Sequence, residues 1–237
     1  MTVASNRLNA IVNLLGGCQS YLEVGVDKGT TFIDVKSELR SAVDPRFKFN
    51  PSEPEFSLDC NRYFEITSDQ YFRELDVSQM FDLVFLDGLH EYEQTYRDFN
   101  NALAHLNPGG VIVIDDTMPF DVFSAHRSNA KTIQLRSEFA DARPGWNGDV
   151  FKAMVLIAAF HPGIDFCSLG AKGVKSQSFL WRRGATTACK GRPDPSTFQA
   201  MVHNMESAHY LWLLENIVVL NRVETMDEVL DLMRSSR

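Results

Sequence analysis

Residues 21–31 read Tyr-Leu-Glu-Val-Gly-Val-Asp-Lys-Gly-Thr-Thr, and they are the most informative stretch of the chain. A short apolar run enters Gly25-x-x-x-Gly29, and the sequence over residues 30–39 favours a helix after it. Glycine tolerates positive φ and lets a ligand approach the backbone closely, while the N-terminus of a helix attracts anions. A strand, a glycine turn and a helix start in this order therefore predict a nucleotide-binding corner.

Asp44 supports this interpretation, because it follows Gly25 by nineteen residues at the end of a second short apolar run. An α/β nucleotide-binding fold places the carboxylate that binds ribose hydroxyls at about this separation. The stretch is not the G-x-G-x-x-G dinucleotide signature, since Asp27 stands at the second glycine position and no third glycine follows. The glycine pair alone would fit an ordinary strand-to-helix turn, but with Asp44 added we expect nucleotide binding.

Strand-like and helix-like segments alternate along the chain, which is typical of a parallel sheet covered by helices on both faces. The apolar spacing predicts a leading helix over residues 6–15, and later helices are expected over residues 91–106 and 149–160. The last two strands are expected to form a hairpin through the turn at residues 170–173. The expected strands lie near residues 20–25, 41–44, 62–66, 82–87, 111–115, 164–169 and 174–183.

Two segments depart from this alternation. Residues 117–146 are polar and only patchily periodic, and so long a connection predicts a lid or substrate loop. Residues 191–237 open with two prolines and continue as a helical extension. We expect this extension to pack on the domain or on a homodimer partner, because part of it is too apolar for a free surface. Its apolar residues are Tyr210, Leu211, Leu213, Leu214, Ile217, Val218 and Leu220.

The composition excludes several classes of protein. Among 237 residues, 23 Lys and Arg stand against 31 Asp and Glu, so the net charge of -8 lacks the basic footprint of a nucleic-acid-binding protein. The four cysteines form no C-x-x-C pair and no signal pattern opens the chain, so we expect a cytoplasmic protein. The longest apolar run, residues 154–160, is too short to cross a membrane.

Five motifs in order resemble those of the class I S-adenosylmethionine (SAM)-dependent methyltransferases. They are the acid-x-Gly-x-x-x-Gly run of residues 23–29, the second-strand acid Asp44, the third strand with its loop at residues 64–69, the Asp-Gly-x-His run at residues 87–90, and the Pro-Gly-Gly-led strand that ends in Asp-Asp at 115–116. The Asp-Gly-x-His and Asp-Asp pieces look most like the branch that includes sugar and small-molecule O-methyltransferases.

The resemblance covers residues 8 to about 184, and we expect the domain to span residues 1–190. It implies a Rossmann-like α/β fold. Such a fold has a mostly parallel seven-stranded sheet with an antiparallel final hairpin and helices on both faces.

The resemblance also implies which residues hold SAM. Residues 23–31 would contact the methionyl part, Asp44 the ribose, and Ser68 and Asp69 the adenine. An alternative for Ser68 is the N-cap of a helix over residues 69–75, and one residue can do both. The expected cofactor-binding residues are Glu23, Val24, Gly25, Lys28, Gly29, Thr30, Thr31, Asp44, Ser68, Asp69, Asp87 and His90.

Asp87, Asp115 and Asp116 all fall at strand ends, which is the edge where open parallel sheets bind ligands. Three neighbouring carboxylates repel one another unless a cation or protons relieve them. Metal-dependent O-methyltransferases place acids at these strand ends around a hard divalent ion, so the resemblance implies Mg²⁺ or Mn²⁺ on these three residues. Alternatively, Asp115 or Asp116 caps the next segment, and Asp87 only orders the turn after it.

His90 is the candidate general base, because histidine titrates near neutral pH and this one follows a glycine turn at the active edge. Alternatively, His90 stacks on or hydrogen-bonds the cofactor without moving a proton. Activation of the acceptor by a metal on the three acids competes with deprotonation by His90. The candidate catalytic residues are therefore His90 and, through the metal, Asp115.

The sequence thus predicts transfer of a methyl group from SAM to a hydroxyl of a small acceptor, a sugar or a secondary-metabolite intermediate, by in-line displacement. Two alternatives stay open at this stage. One is a protein that binds SAM without catalysis, and the other is a nicotinamide-dependent oxidoreductase, which the missing third glycine opposes.

Overall fold

A mixed sheet of eight strands forms the centre of the described structure, a computed structural model that covers residues 1–170, 175–184, 205 and 208–236. The strands are β1 (Ser20–Val24), β2 (Leu39–Val43), β3 (Asn61–Phe64), β4 (Phe81–Leu86), β5 (Leu106–Asp115), β6 (Ile164–Leu169), β7 (Gln177–Arg182) and β8 (Arg222–Val223). Their order across the sheet is β3-β2-β1-β4-β5-β7-β6-β8. β1 to β5 are parallel, β7 runs antiparallel to both of its neighbours, and β8 is parallel to β6.

Helices cover both faces of this sheet. They are α1 (Val3–Leu15), α2 (Ser68–Glu74), α3 (Tyr92–Ala104), α4 (Asn129–Glu138), α5 (Phe151–Phe160), α6 (Tyr210–Glu215) and α7 (Met226–Ser235). The apolar residues of α1 and α7 are buried on one face, and those of α2, α3 and α5 on the other. β5 serves both faces, because its successive side chains alternate: Val111 and Val113 belong to the first core, Ile112 and Ile114 to the second. Among the described residues, no helix is both long and apolar enough to cross a membrane.

The sequence prediction of a Rossmann-like sheet with an antiparallel final hairpin is confirmed, with one addition. β8, only two residues long, pairs with the outer side of β6 and makes the sheet eight-stranded. It belongs to the segment 191–237, whose helix α7 contacts α1. The expected hairpin turn at residues 170–173 lies, apart from Gly170, outside the described residues, as do residues 191–204, 206–207 and 237 of the C-terminal segment.

The expected helix over residues 30–39 is wrong, because the structure has only a 3-10 turn, Phe32–Asp34, before β2. The side chain of Asn9 in α1 explains the difference. Its amide nitrogen donates to the carbonyl of Asp34 at 2.9 Å, and its amide oxygen accepts the backbone N–H of Lys36 at 2.8 Å. These backbone groups are thus bonded outside any helix, and the chain turns directly into β2.

Candidate active site

A cavity of about 1060 Å³ opens at the carboxyl ends of β1, β2, β4 and β5. Loops after these strands form its floor, and the segment between β5 and α5 covers one end. Of the residues expected at the cofactor, the structure brings Val24, Gly25, Asp44, Ser68, Asp69, Asp87 and His90 to the cavity wall. The other expected residues do not line this cavity: they are Glu23, Lys28, Gly29, Thr30 and Thr31.

Glu23 is buried on the α1 face of the sheet, because strand alternation turns it away from the side that Val24 faces. Its carboxylate accepts the hydroxyl of Tyr21 at 2.5 Å. Burial raises the pKa of Glu23 well above its ordinary value, although the bond from Tyr21 opposes the shift. Thr31 also turns toward α1, where its hydroxyl lies 3.1 Å from that of Thr2.

The two glycines of the motif are required by packing. Gly25 has a φ of 86°, and a Cβ at this position would lie 2.1 Å from the carbonyl oxygen of Asp87. Gly29 has a φ of 74°, and a Cβ there would lie 2.6 Å from the ring of Phe56. Only glycine therefore lets the loop lie against the end of β4 and against the aromatic cluster after β2.

Asp44 braces this glycine loop. One of its carboxylate oxygens accepts the backbone N–H groups of Val26 at 2.9 Å and Asp27 at 3.0 Å, and the other accepts that of Arg46 at 2.8 Å. A carboxylate offers about four acceptor positions, so three bonds leave room for a further donor at the cavity side. The sequence indicated a ligand contact, and the structure adds a role in holding the loop.

The cavity wall opposite the glycine loop is polar and begins at α2. Thr67 is the N-cap of α2, since its hydroxyl accepts the N–H of Gln70, so the alternative that Ser68 is the cap is wrong. The amide nitrogen of Gln94 donates to Ser68 Oγ at 3.2 Å, to Asp69 Oδ1 at 3.2 Å and to Asp98 Oδ1 at 3.0 Å. One side chain of α3 therefore ties three groups of this wall together.

Asp98 was missed by sequence reasoning. It is 3% exposed and lines the cavity, and burial raises its pKa to about 6 against the opposing bonds from Ser68 and Gln94. A signal was available, because Asp98 falls at helical spacing within the buried stripe of Thr95, Phe99 and Ala102. An acid in such a stripe indicates a site residue, since carboxylates are rarely buried without a partner.

His90 lies between two acids at the other end of the cavity. Its Nε2 is 3.6 Å from Asp87 Oδ1, and its Nδ1 is 3.4 Å from Asp116 Oδ2. The ring of Trp146 stacks on the imidazole at 4.5 Å between centroids. Burial acts to lower the pKa of His90, but its interactions with the carboxylates of Asp87 and Asp116 outweigh it and raise the pKa.

Asp115 and Asp116 face different neighbours, because successive residues at the end of β5 point to opposite sides. Asp116 is buried toward the cavity and accepts the amide of Asn147 at 2.7 Å; burial and the charge of Asp87 raise its pKa to about 6. Asp115 turns toward the α1 face and is bonded by Lys175 Nζ at 3.2 Å. Burial, followed by the charges of Asp87 and Asp116, raises the pKa of Asp115 well above its ordinary value.

The group of residues that fits a metal ion therefore differs from the expected one. Asp87, His90 and Asp116 bring ligand atoms within 4.8 Å of one another in the described structure. Asp115, expected as the third ligand, is directed away from this group by the alternation of β5. His90 takes its place in the cluster.

The run Trp146-Asn147-Gly148-Asp149 docks the covering segment onto this end of the cavity. A Cβ on Gly148 would lie 2.0 Å from the carbonyl oxygen of His90, so the two backbones touch. Asp149 accepts the N–H of Tyr92 at 3.0 Å at the start of α3, and Trp146 Nε1 donates to the carbonyl of His126 at 2.6 Å. These contacts anchor the covering segment to the loop after β4 and to the start of α3.

The rest of the covering segment, residues 117–146, makes more internal contacts than its patchy apolar periodicity suggested. It contains α4 and an almost buried guanidinium, that of Arg136. This group bonds both carboxylate oxygens of Asp121, at 3.0 and 3.1 Å, and Asp141 at 2.9 Å. It also lies 5.4 Å from the ring centroids of Phe120 and Phe123. The segment thus has a small core of its own.

Comparison with known proteins agrees with this architecture. Residues 22–117 match the family model of a methyltransferase domain. No curated protein sequence matches the chain.

Several solved structures are similar over most of their length. An O-methyltransferase from Bacillus cereus in complex with SAH is 19% identical, with a TM-score of 0.56 over 77% of this chain and 82% of that one. The O-methyltransferase TomG from Streptomyces achromogenes, in complex with SAM, is 16% identical, with a TM-score of 0.51 over 78% and 82%. The SAH-bound methyltransferase PaMTH1 from Podospora anserina is 13% identical, with a TM-score of 0.53 over 77% and 80%.

Because these sequence identities are low, the similarity to solved structures shows the fold alone. The sheet order, the cavity at the strand ends and the matched domain agree with one another. The chain has the class I methyltransferase fold, and its residues 22–117 match the family model of a methyltransferase domain.

Proposed function

We propose that this protein transfers a methyl group from SAM to a hydroxyl of a small acceptor, a sugar or a secondary-metabolite intermediate. The observation that carries the proposal is the position of His90. It stands between Asp87 and Asp116, under Trp146, in the cavity that begins at the glycine loop. The Bacillus cereus and Streptomyces achromogenes proteins with this fold are O-methyltransferases in complex with SAH and SAM, which supports the same cofactor here.

The cavity suits SAM in its charge. SAM carries a sulfonium and an ammonium group, and acids line this wall at Asp44, Asp69, Asp87 and Asp116. We assign the adenine to the wall formed by Ser68, Asp69, Gln94 and Asp98, and the ribose to Asp44. The methionyl part then lies along Val24 and Gly25.

The acceptor belongs at the end under the covering segment, between His90 and the apolar surfaces of Met118, Phe120 and Trp146. Its hydroxyl oxygen attacks the methyl carbon while the bond from carbon to sulfur breaks, and the sulfonium leaves as a neutral thioether. Holding the two reactants in line supplies roughly 7–11 kcal/mol of the barrier lowering. His90 takes the proton through Nε2, because its Nδ1 is buried against Asp116.

A divalent ion is the second candidate for activating the acceptor. Asp87, His90 and Asp116 fit such an ion as ligands, and Mg²⁺ or Mn²⁺ there would lower the pKa of the acceptor hydroxyl. Turnover in EDTA, compared with turnover in added Mg²⁺ or Mn²⁺, separates this candidate from deprotonation by His90 alone.

The remaining parts of the proposal concern the location of the protein in the cell and its partners. We expect a cytoplasmic protein that binds no nucleic acid, in line with its net charge of -8. A homodimer is proposed through the exposed apolar residues Leu211, Leu214 and Val218 of the C-terminal segment. Sedimentation of the purified chain tests the homodimer.

Two measurements test the function itself. A thermal shift with SAM and with NAD distinguishes a methyltransferase pocket from that of an oxidoreductase, and we expect a shift with SAM alone. Transfer of a labelled methyl group to a panel of hydroxylated acceptors distinguishes an enzyme from a protein that only binds SAM. No shift with SAM would overturn the proposal, and a shift without transfer to any acceptor would favour the binding protein.

A further inference from the structure

Lys175, just before β7, reaches the acids at the end of β5. Its Nζ bonds Asp115 Oδ2 at 3.2 Å, and its side chain forms part of the cavity wall. The backbone of Lys175 is held in place, because its carbonyl accepts a guanidinium N–H of Arg7 in α1 at 2.7 Å. The lysine is therefore directed at the cluster by both the sheet and α1.

The exposure of the two partners makes this pair favourable. The side chain of Lys175 is 58% exposed and keeps much of its hydration, whereas that of Asp115 is 1% exposed. A buried carboxylate needs a partner, because an unpaired buried charge is costly. The other oxygen of Asp115 has no hydrogen-bond partner within the described residues, so Lys175 is the cation that bonds this acid directly, whereas the guanidinium of Arg7 interacts with it through charge.

The ammonium also acts on the neighbouring acids. Burial acts to lower the pKa of Lys175, but the charges of Asp115, Asp87 and Asp116 outweigh it and raise the pKa, so the group stays protonated. Asp87 and Asp116 are two of the three residues that fit a divalent ion. An ammonium that interacts with Asp87 and Asp116 through charge also repels a divalent ion held by them, because like charges are poorly screened at a partly buried site.

We propose that Lys175 is the resident counter-cation of Asp87, Asp115 and Asp116. It supplies the positive charge that these three acids require, so that methyl transfer needs no divalent ion. This inference rests on the proposed function and deepens it. With SAM bound, the sulfonium adds a second positive charge at the same end of the cavity. The acids then have cationic neighbours without a metal.

The first test is the affinity for Mn²⁺, measured by calorimetry and by the electron paramagnetic resonance of free Mn²⁺. The wild-type protein should bind Mn²⁺ weakly. Lys175→Met should bind it ~10–100-fold more tightly, since it loses the positive charge that opposes a divalent ion at Asp87, His90 and Asp116. Lys175→Arg keeps the charge and should bind as weakly as the wild type.

Two controls locate the effect. Lys131→Met, on the exposed surface of α4, makes the same change in net charge and should leave the Mn²⁺ affinity unchanged. Adding Asp116→Asn to Lys175→Met should abolish the gained site, because it removes a carboxylate of the cluster. Tight Mn²⁺ binding by the wild type would overturn the inference, and this measurement does not depend on whether Lys175→Met folds. An unchanged affinity in a folded Lys175→Met protein would overturn it as well.

Turnover separates this inference from the proposed function. If SAM binds and the wild type keeps its rate in EDTA, both stand. If SAM binds and EDTA abolishes turnover, the proposed function stands and the role of Lys175 fails. If SAM does not bind at all, the proposed function fails, and the Mn²⁺ titrations still report whether Lys175 controls the cluster.

Discussion

The two ends of the cavity are built differently. At the glycine-loop end, both oxygens of Asp44 accept backbone N–H groups at 2.8–3.0 Å. At the other end, His90 lies 3.4 and 3.6 Å from its two acids, and its Nδ1 has no hydrogen-bond partner within the described chain. The amide oxygen of Asn147, which lines the same end, is likewise buried without a hydrogen-bond partner among the described residues.

This contrast indicates a division of labour. Buried polar groups are normally bonded, so unsatisfied groups that gather at one end indicate where a ligand or reacting atom is expected. Of the cavity-lining acids and histidines whose pKa values are raised, two, His90 and Asp116, lie at this end, and Asp98 lies on the wall beside α2. Perturbed ionisable groups in a cavity are typical of the place where chemistry occurs. We call the glycine-loop end, whose polar groups are bonded, the completed end, and the His90 end, where buried polar groups lack partners, the unsatisfied end. The completed end should therefore determine the affinity for SAM, and the unsatisfied end should determine kcat.

The largest expected effect is on the rate, at the unsatisfied end. His90→Ala should lower kcat by ~10²–10⁴-fold, the usual loss when a general base is removed, while the Kd for SAM changes little. Steady-state kinetics with a methyl-accepting substrate and calorimetry with SAM measure the two quantities. His105→Ala is the matched control, because His105 lies outside the cavity wall and contacts the carbonyl of Gln79.

The opposite result, weaker SAM binding without a lower kcat, would reverse the roles of the two ends. A His90→Ala protein with normal kcat and weakened SAM binding would assign this histidine to the cofactor. It would also leave the acceptor to be activated by another group.

The next effect concerns binding, at the completed end. Asp44→Ala should cost ~1.5–3 kcal/mol of SAM affinity, a loss of one to two orders of magnitude, because a charge-assisted bond to the ribose disappears. The same change leaves three backbone N–H groups without their acceptor, so urea unfolding should also show lower stability. Unchanged SAM affinity by calorimetry would remove Asp44 from the ribose site, and lower stability alone would leave it the loop-bracing role.

The sequence predicted the completed end better than the unsatisfied one. Gly25, Asp44 and the strand ends are local signals, and the alternation of strands and helices predicted a mostly parallel sheet between them. The roles of Asn9 and Lys175 were not predictable in this way. Asn9 displaces a helix by bonding residues some 25 positions away, and Lys175 reaches Asp115 across 60 positions. Such contacts exist only once the sheet has formed.

Asp98 was partly predictable from the sequence, because the helical pattern showed its buried position but not its neighbours. The pKa of Asp98 is raised from 3.8 to about 6 in the folded protein. The unfolded chain therefore releases this proton first as pH rises, and folding stability falls between about pH 4 and pH 6 and stays lower above that. Asp98 thus costs stability at neutral pH, as residues kept for binding often do.

Asp98→Asn should relieve this cost. We expect the variant to be more stable than the wild type by about 1–2 kcal/mol at pH 7.5 and to show no gain at pH 4, where the acid is already protonated. Urea unfolding at the two pH values measures the difference, and Asp59→Asn, at an exposed acid, controls for the change in net charge. A loss of stability at pH 7.5 would contradict the burial argument. A gain in stability with weaker SAM binding would place Asp98 at the adenine.

The smallest effect should appear in the covering segment, which we propose to be a lid over the His90 end of the cavity. Its α4 is anchored by Arg136 to Asp121 and Asp141, so its amides should exchange slowly with and without ligands. Residues 140–146 are mostly exposed, and Pro144, Gly145 and Trp146 line the cavity, so their exchange should slow several-fold when SAM and acceptor are both bound. Hydrogen exchange of the free and doubly bound protein measures this, with the exposed turn at residues 52–55, outside the cavity wall, as the internal control. Strong protection of residues 140–146 in the free protein, or equal exchange in both states, would show a fixed roof, and entry to the unsatisfied end would then need another route.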